Sequence, residues 1–132
     1  MIKTIEVKTH GRTELVDVTD SVDSAVKSSG IKEGTAFVFV PHTTAAVTIN
    51  ENADPDVKRD ILMEMNKVIP FDDGYSHAEG NSAAHIKSSL FGAGLTVIIS
   101  GGKLLLGTWQ SIYFCEFDGP RDRRFYVKIL EG

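Results

Sequence analysis

The chain of 132 residues carries a single cysteine, Cys115. No disulfide can close within it, and an all-cysteine zinc centre is excluded. Such sparing cysteine use suits a reducing compartment, so a cytoplasmic protein is expected. No apolar run approaches the ~20 residues that a membrane helix needs. The first residues, Met1-Ile-Lys-Thr-Ile-Glu, alternate charge with apolar groups and lack the apolar core of a signal peptide. No membrane partner is expected. An excess of positive charge is missing too: 14 Lys and Arg stand against 18 Asp and Glu, for a net −4. That opposes broad nucleic-acid binding, which needs a positive field, and leaves room only for a local basic pocket. There is no repeat, linker or low-complexity stretch. What is present, 42% hydrophobic and 24% charged residues, describes an ordinary globule forming one domain over 1–132.

Hydrophobic periodicity sketches the elements. Lys3 to Lys8 alternates, with Ile5 and Val7 on one face, and Glu14 to Thr19 alternates again beyond a His10-Gly-Arg turn. Together they suggest a hairpin. A helix capped by Thr19 or Asp20, with Val22, Ala25 and Val26 inward, should stop at Gly30. Thr35 to Val40 is nearly all apolar, as in a buried strand, and Pro41 interrupts it. Ala45 to Asn50 is another strand. Asp54-Pro55-Asp56 is a strong helix start, followed by the stripe Val57, Ile61, Met65 and Val68, with Pro70 as its close. After a loop from Phe71 to Glu79, Asn81 or Ser82 should cap a short helix with Ile86 and Leu90 inward, ending near Gly92. Leu95–Ser100 and Lys103–Leu106 flank a Gly101-Gly102 turn, Thr108–Phe117 is a long strand, and Arg124–Leu130 is the last one. About eight strands and three short helices make an α+β fold, a mostly antiparallel sheet sandwich.

Several groups could carry chemistry. His42 follows Pro41 where a strand breaks, and His77 and His85 stand eight residues apart across a loop-to-helix junction. Neutral imidazoles are common transition-metal ligands, and three suffice for a site with an open position. Glu51 and Glu79 lie near them in sequence and could act as base, ligand or support of an imidazole tautomer. No standard zinc motif is present, so spacing leaves both a shared site and three separately packed histidines open. The basic cluster at Arg121, Arg123 and Arg124 suits a small anionic or phosphorylated ligand, or else a solvated turn neutralised by Asp118 and Asp122. Gln110 could present an amide to that ligand, or simply pair across strands. Gly101-Gly102-Lys103 is not a phosphate loop, because Val97 stands where its first glycine belongs. Cys115, mid-strand among aromatics, is expected to be an inert packed thiol.

Four stretches carry a resemblance: His42-Thr-Thr-Ala-Ala-Val-Thr-Ile-Asn-Glu51 running to Asp54-Pro55; Tyr75-Ser-His77, Glu79-Gly-Asn81 and His85-Ile-Lys-Ser-Ser89; Gly102 to Gln110; and Glu116-Phe-Asp-Gly-Pro-Arg121 with Arg123. In this order they resemble the YjbQ-like family, also called the secondary thiamine-phosphate synthase family. The resemblance implies an antiparallel α+β domain assembling as a homotrimer, with a pocket that could lie between subunits. It implies that His42, His77 and His85 bind a divalent metal, zinc by donor type, and that His42, Glu51, Glu79 and His85 serve catalysis. Arg121, Arg123 and Gln110 would hold the phosphorylated ligand. The family name implies joining hydroxymethylpyrimidine diphosphate to thiazole phosphate, giving thiamine phosphate and diphosphate. A metal-dependent hydrolase using the same pocket, and a non-enzymatic trimeric binding module, are the competing expectations.

Overall fold

The computed structural model describes residues 2–132. Along the chain come β1 (Ile2–Lys8), β2 (Glu14–Asp17), α1 (Thr19–Ser29), β3 (Gly34–Phe39), β4 (Ala45–Glu51) and α2 (Pro55–Val68). Then follow α3 (Ser82–Phe91), β5 (Gly94–Ser100), β6 (Lys103–Leu104), β7 (Gln110–Glu116) and β8 (Asp122–Glu131). The pairings are antiparallel and build two sheets, one of five strands ordered β1-β8-β3-β5-β6 and one of three ordered β2-β7-β4. The α+β sandwich expected from periodicity is the architecture found.

The hairpin expected between the first two strands does not form. β1 runs beside β8, and β2 beside β7 in the other sheet. Alternation reports which face of a strand is buried and nothing about its partner, so the error is one of pairing, not of element type. The Gly101-Gly102 turn does close a hairpin: both glycines have positive φ, and Ile99 faces Leu104.

The core between the sheets joins Ala36, Val38, Val97 and Val127 of the large sheet to Val47, Ile112 and Phe114 of the small one. Val22, Ala25 and Val26 of α1 seal it. Gly34 permits the approach of β3 to β8, because a Cβ there would collide with the Leu130 carbonyl. A second cluster lies on the opposite face of the small sheet, where Leu15, Ala46, Tyr113, Cys115 and Phe117 meet Ile61 and Leu62 of α2 and Ala84 and Phe91 of α3. Helices α2 and α3 therefore cover the small sheet.

Three expected packing faces are corrected. Ile86 and Leu90 point outward, and α3 instead buries Ala83, Ala84, Lys87 and Ser88. Val68 of the α2 stripe is exposed, and α2 rests on the sheet through half-buried Ile61 and Leu62. Strand β3 is buried on one face only; Phe37 and Phe39 are each 41% exposed on the other. No helix among the described residues is long and apolar enough to cross a membrane.

Candidate functional site

Helix α3 organises the site. It lies against β4, and Phe91 meets Phe117 edge-on with ring centroids 5.1 Å apart. From its middle the Ser88 hydroxyl donates to the Thr43 carbonyl at 2.5 Å, tying the segment after Pro41 to the helix. His42 and His85 then border one hollow of about 510 Å³. On the other side of His85 lies a hollow of about 400 Å³, bordered by Tyr75, Ser76, His77 and Ser82. The rings of His77 and His85 stand perpendicular, 5.5 Å between centroids. His85 is thus the shared wall of two adjoining hollows, with His77 in one and His42 in the other.

Each imidazole has a distinct environment. His42 Nε2 is 3.1 Å from both the amide nitrogen and the carbonyl oxygen of Arg124. The Arg124 N–H donates to Nε2, which in the neutral ring leaves the proton on Nδ1. Burial lowers the pKa of His42, and nearby Arg123 lowers it further, so the ring is held neutral. His77 Nε2 lies 3.8 Å from the Glu79 carboxylate, which is well exposed.

The donors do not converge on one point. Among the described residues, no group of three or more His, Cys, Asp or Glu side chains is placed to hold a metal ion. His77 and His85 meet, Glu79 stands beside His77, and His42 is separated from His77 by His85. The residues of this chain as folded therefore do not by themselves form a three-histidine centre.

The remaining candidates fall into two groups. Arg123 is buried, donating from Nε to Glu116 at 2.9 Å and from Nη2 to the other Glu116 oxygen at 2.5 Å. Nη2 also donates to the Thr44 hydroxyl at 2.9 Å. Its guanidinium is thereby committed to holding the strand entry beside His42, and Arg121 is the arginine of the Asp118–Arg121 turn open to solvent. Burial alone would raise the pKa of Glu116, but hydrogen bonds from Arg123, Thr9 and the Asp118 amide hold it below the usual carboxylate value. Arg121 donates to Asp118, whose same oxygen accepts from Asn81 at 2.9 Å. This places Arg121 near the amino end of α3. Asn81 turns its side chain to Asp118 rather than capping the helix. Glu51 and Gln110 face each other at the far end of the β4–β7 pair, roughly 20 Å of strand from the His42 segment. There the Gln110 side chain accepts from the Gly107 amide at 2.8 Å.

Ser76, Ser82, Ser88 and Tyr75 also border the hollows; the sequence named Ser82 only as a helix cap and the other three only within the stretches that carry the resemblance, none with a role in the site. Ser88 stands three residues beyond His85 on the same helix face, and Tyr75 and Ser76 directly precede His77, which are the signals that could have marked them. Cys115 is the inert thiol expected: it is buried, and burial pushes its pKa up.

A family model described as UPF0047 protein YjbQ-like matches residues 3–132. A UPF0047 protein of Methanocaldococcus jannaschii is 56% identical over 98% of this chain and 94% of its own length. The UPF0047 protein YugU of Bacillus subtilis is 52% identical over 98% of this chain and 99% of its own. Among solved structures, a YjbQ/UPF0047 family protein from Clostridium acetobutylicum is 56% identical, with a TM-score of 0.96 over 97% of this chain and 99% of that one. A YjbQ-like protein of unknown function from Sulfolobus solfataricus is 37% identical, with a TM-score of 0.95 over 100% of this chain and 97% of that one. With this agreement of sequence and fold over nearly its full length, the chain belongs to the YjbQ-like UPF0047 family.

Proposed function

We propose that this protein is an enzyme acting on a small phosphorylated molecule bound in the hollows on either side of His85. The observation that carries the reading is the perpendicular approach of His77 and His85 in a hollow beside the start of α3. Two neighbouring imidazoles can hold and pass a proton near neutral pH. The Ser82 amide, at the positive end of α3 and bordering the hollow, donates to no acceptor among the described residues, and Arg121 is held nearby. Helix amides and an arginine fork are suited to phosphate oxygens. The reaction proposed is the one the family resemblance implies, the joining of hydroxymethylpyrimidine diphosphate to thiazole phosphate with loss of diphosphate. Here Arg121 and the Ser82 amide would hold the departing diphosphate, and His77 or His85 would donate a proton to it as the carbon–oxygen bond breaks.

The reading extends to a divalent metal, zinc by donor type, on His77 and His85; the resemblance adds His42, which stands across His85 from His77 in this chain, so a third donor would have to come from another subunit. Such an ion would supply charge stabilisation to phosphate oxygens. It extends also to a cytoplasmic homotrimer, supported by apolar surface left uncovered on the large sheet.

Elemental mass spectrometry on untagged protein, beside a His77→Ala/His85→Ala variant, tests the metal. About one zinc per chain, lost in the variant, is expected; no metal in either after zinc is added back removes it from the reading. Incubation with both thiamine precursors tests the reaction. Diphosphate release that needs both precursors is expected, whereas release of phosphate from either one alone would assign a hydrolase instead.

A further inference from the structure

The loop of residues 71–79 carries His77, yet no hydrogen bond joins it to any helix or strand among the described residues. The Tyr75 hydroxyl donates only to the adjacent Pro70 carbonyl, at 2.6 Å. Two aromatic contacts hold the loop at its ends. Near its far end, His77 meets His85. At its start, the Phe71 ring has two cations over it: the Arg12 guanidinium carbon 3.5 Å from the centroid, and Lys87 Nζ at 4.0 Å.

Lys87 is an unusual residue to find there. It is fully buried, with Nζ bonded at 2.6 Å to the Asn66 side-chain oxygen of α2 and no carboxylate paired with it among the described residues. Asn66 in turn donates to the Thr13 hydroxyl. Burial, and secondarily Arg12, bring the pKa of Lys87 down to about 8. A buried ammonium without a counter-ion is costly, and an aromatic face is a compensating partner, worth most when water is excluded. Lys87 and His85 sit two residues apart on α3, so one helix turn grips both ends of the loop.

We propose that Lys87 and Arg12 clamp the Phe71 ring to seat the 71–79 loop, and that this clamp sets where His77 stands against His85. Lys87 and Phe71 are then positioning residues that touch no ligand. The structural half of the inference is independent of the proposed chemistry; its importance for metal or substrate rests on that reading.

The test compares Lys87→Met, Phe71→Leu and Phe71→Trp with the wild type. Met and Leu keep apolar bulk while removing the cation or the π face, and Trp keeps the π face. The readout is the inter-ring nuclear Overhauser effect between His77 and His85 in histidine-labelled protein without metal. It is expected in the wild type and Phe71→Trp, and absent from Lys87→Met and Phe71→Leu. An unchanged effect in Phe71→Leu overturns the clamp, whether or not Lys87→Met folds. Zinc affinity, measured by chelator competition, should fall about tenfold or more in Phe71→Leu, as when groups that orient metal ligands are lost. A wild type that binds no zinc counts against the metal reading alone, because the ring-to-ring effect still decides the clamp.

Discussion

At the scale of single residues, the electrostatics of the site are set by one buried ion pair. Glu116 is inaccessible and Arg123 nearly so, and together they anchor Thr9, Thr44 and the Asp118 amide. Removing one partner of such a pair strands a buried charge, at a cost of about 3–5 kcal/mol. Arg123→Met should therefore lower stability by about that amount in urea unfolding at pH 7. Glu116 has a folded pKa below its ordinary 4.5, so the charged form contributes stability above that pH. This contribution is lost as pH falls through the lowered folded value. Comparing wild type with Glu116→Gln at pH 7 and pH 3 should show a gap that narrows on acidification. A gap of constant size would mean that folding leaves the Glu116 pKa unshifted, and a gap that widens would mean that Glu116 is neutral in the fold. That an arginine is present in the turn was plain from sequence; that Arg123 faces inward to Glu116 required β7 and β8 to be placed.

Among elements, the helix ends were the most legible features. Asp54 accepts from the Asp56 amide at 2.9 Å with Pro55 opening α2, because the cap is a local exchange between residues two apart. Asp54→Ala should cost about 1 kcal/mol and lower the melting temperature by roughly 4 °C in a calorimetric scan. Gly30 likewise ends α1 in the left-handed conformation expected of it. At the start of α1 the cap position is Val18, with no side-chain bond, instead of Thr19 or Asp20, and Asp17 just before it accepts from the Thr19 amide and hydroxyl. Helix faces were less legible. α3 contains Ile86 and Leu90, and apolar character alone puts them inside, yet the helix turns small Ala83, Ala84 and Ser88 toward β4 so that the two can approach. Close packing rewarded small residues over large ones there.

For the whole molecule, the layers leave one face bare. The small sheet is covered by α2 and α3, but none of the described residues covers the outer face of the large sheet, where Phe37, Phe39, Ile98 and Leu130 are 41–56% exposed. A contiguous apolar surface of this kind marks an interaction site, and the proposed homotrimer would bury it. Sedimentation velocity on Phe37→Ser/Phe39→Ser should then show a smaller species than the wild type. An equal sedimentation coefficient, or a monomeric wild type, would separate this face from assembly. Glu51 and Gln110, remote from His42 along the strand, bear on the proposed pocket only if another subunit brings them to it.

Local signals in the sequence determined the element types, two helix ends and the Gly-Gly hairpin, since each depends on neighbours a few residues apart. The four motif stretches also identified the family. Strand partners and burial faces were decided by tertiary structure: β1 joined β8, and β2 joined β7, through contacts more than a hundred residues distant for some pairs. The site divides in the same way. His42, His77 and His85 could be picked out along the chain, but the sharing of two hollows by His85, the commitment of Arg123 to Glu116, and the seating of Phe71 between two cations exist only once α3 lies across the small sheet. The physical reason is that side-chain chemistry is encoded residue by residue, whereas convergence and desolvation arise from nonlocal packing.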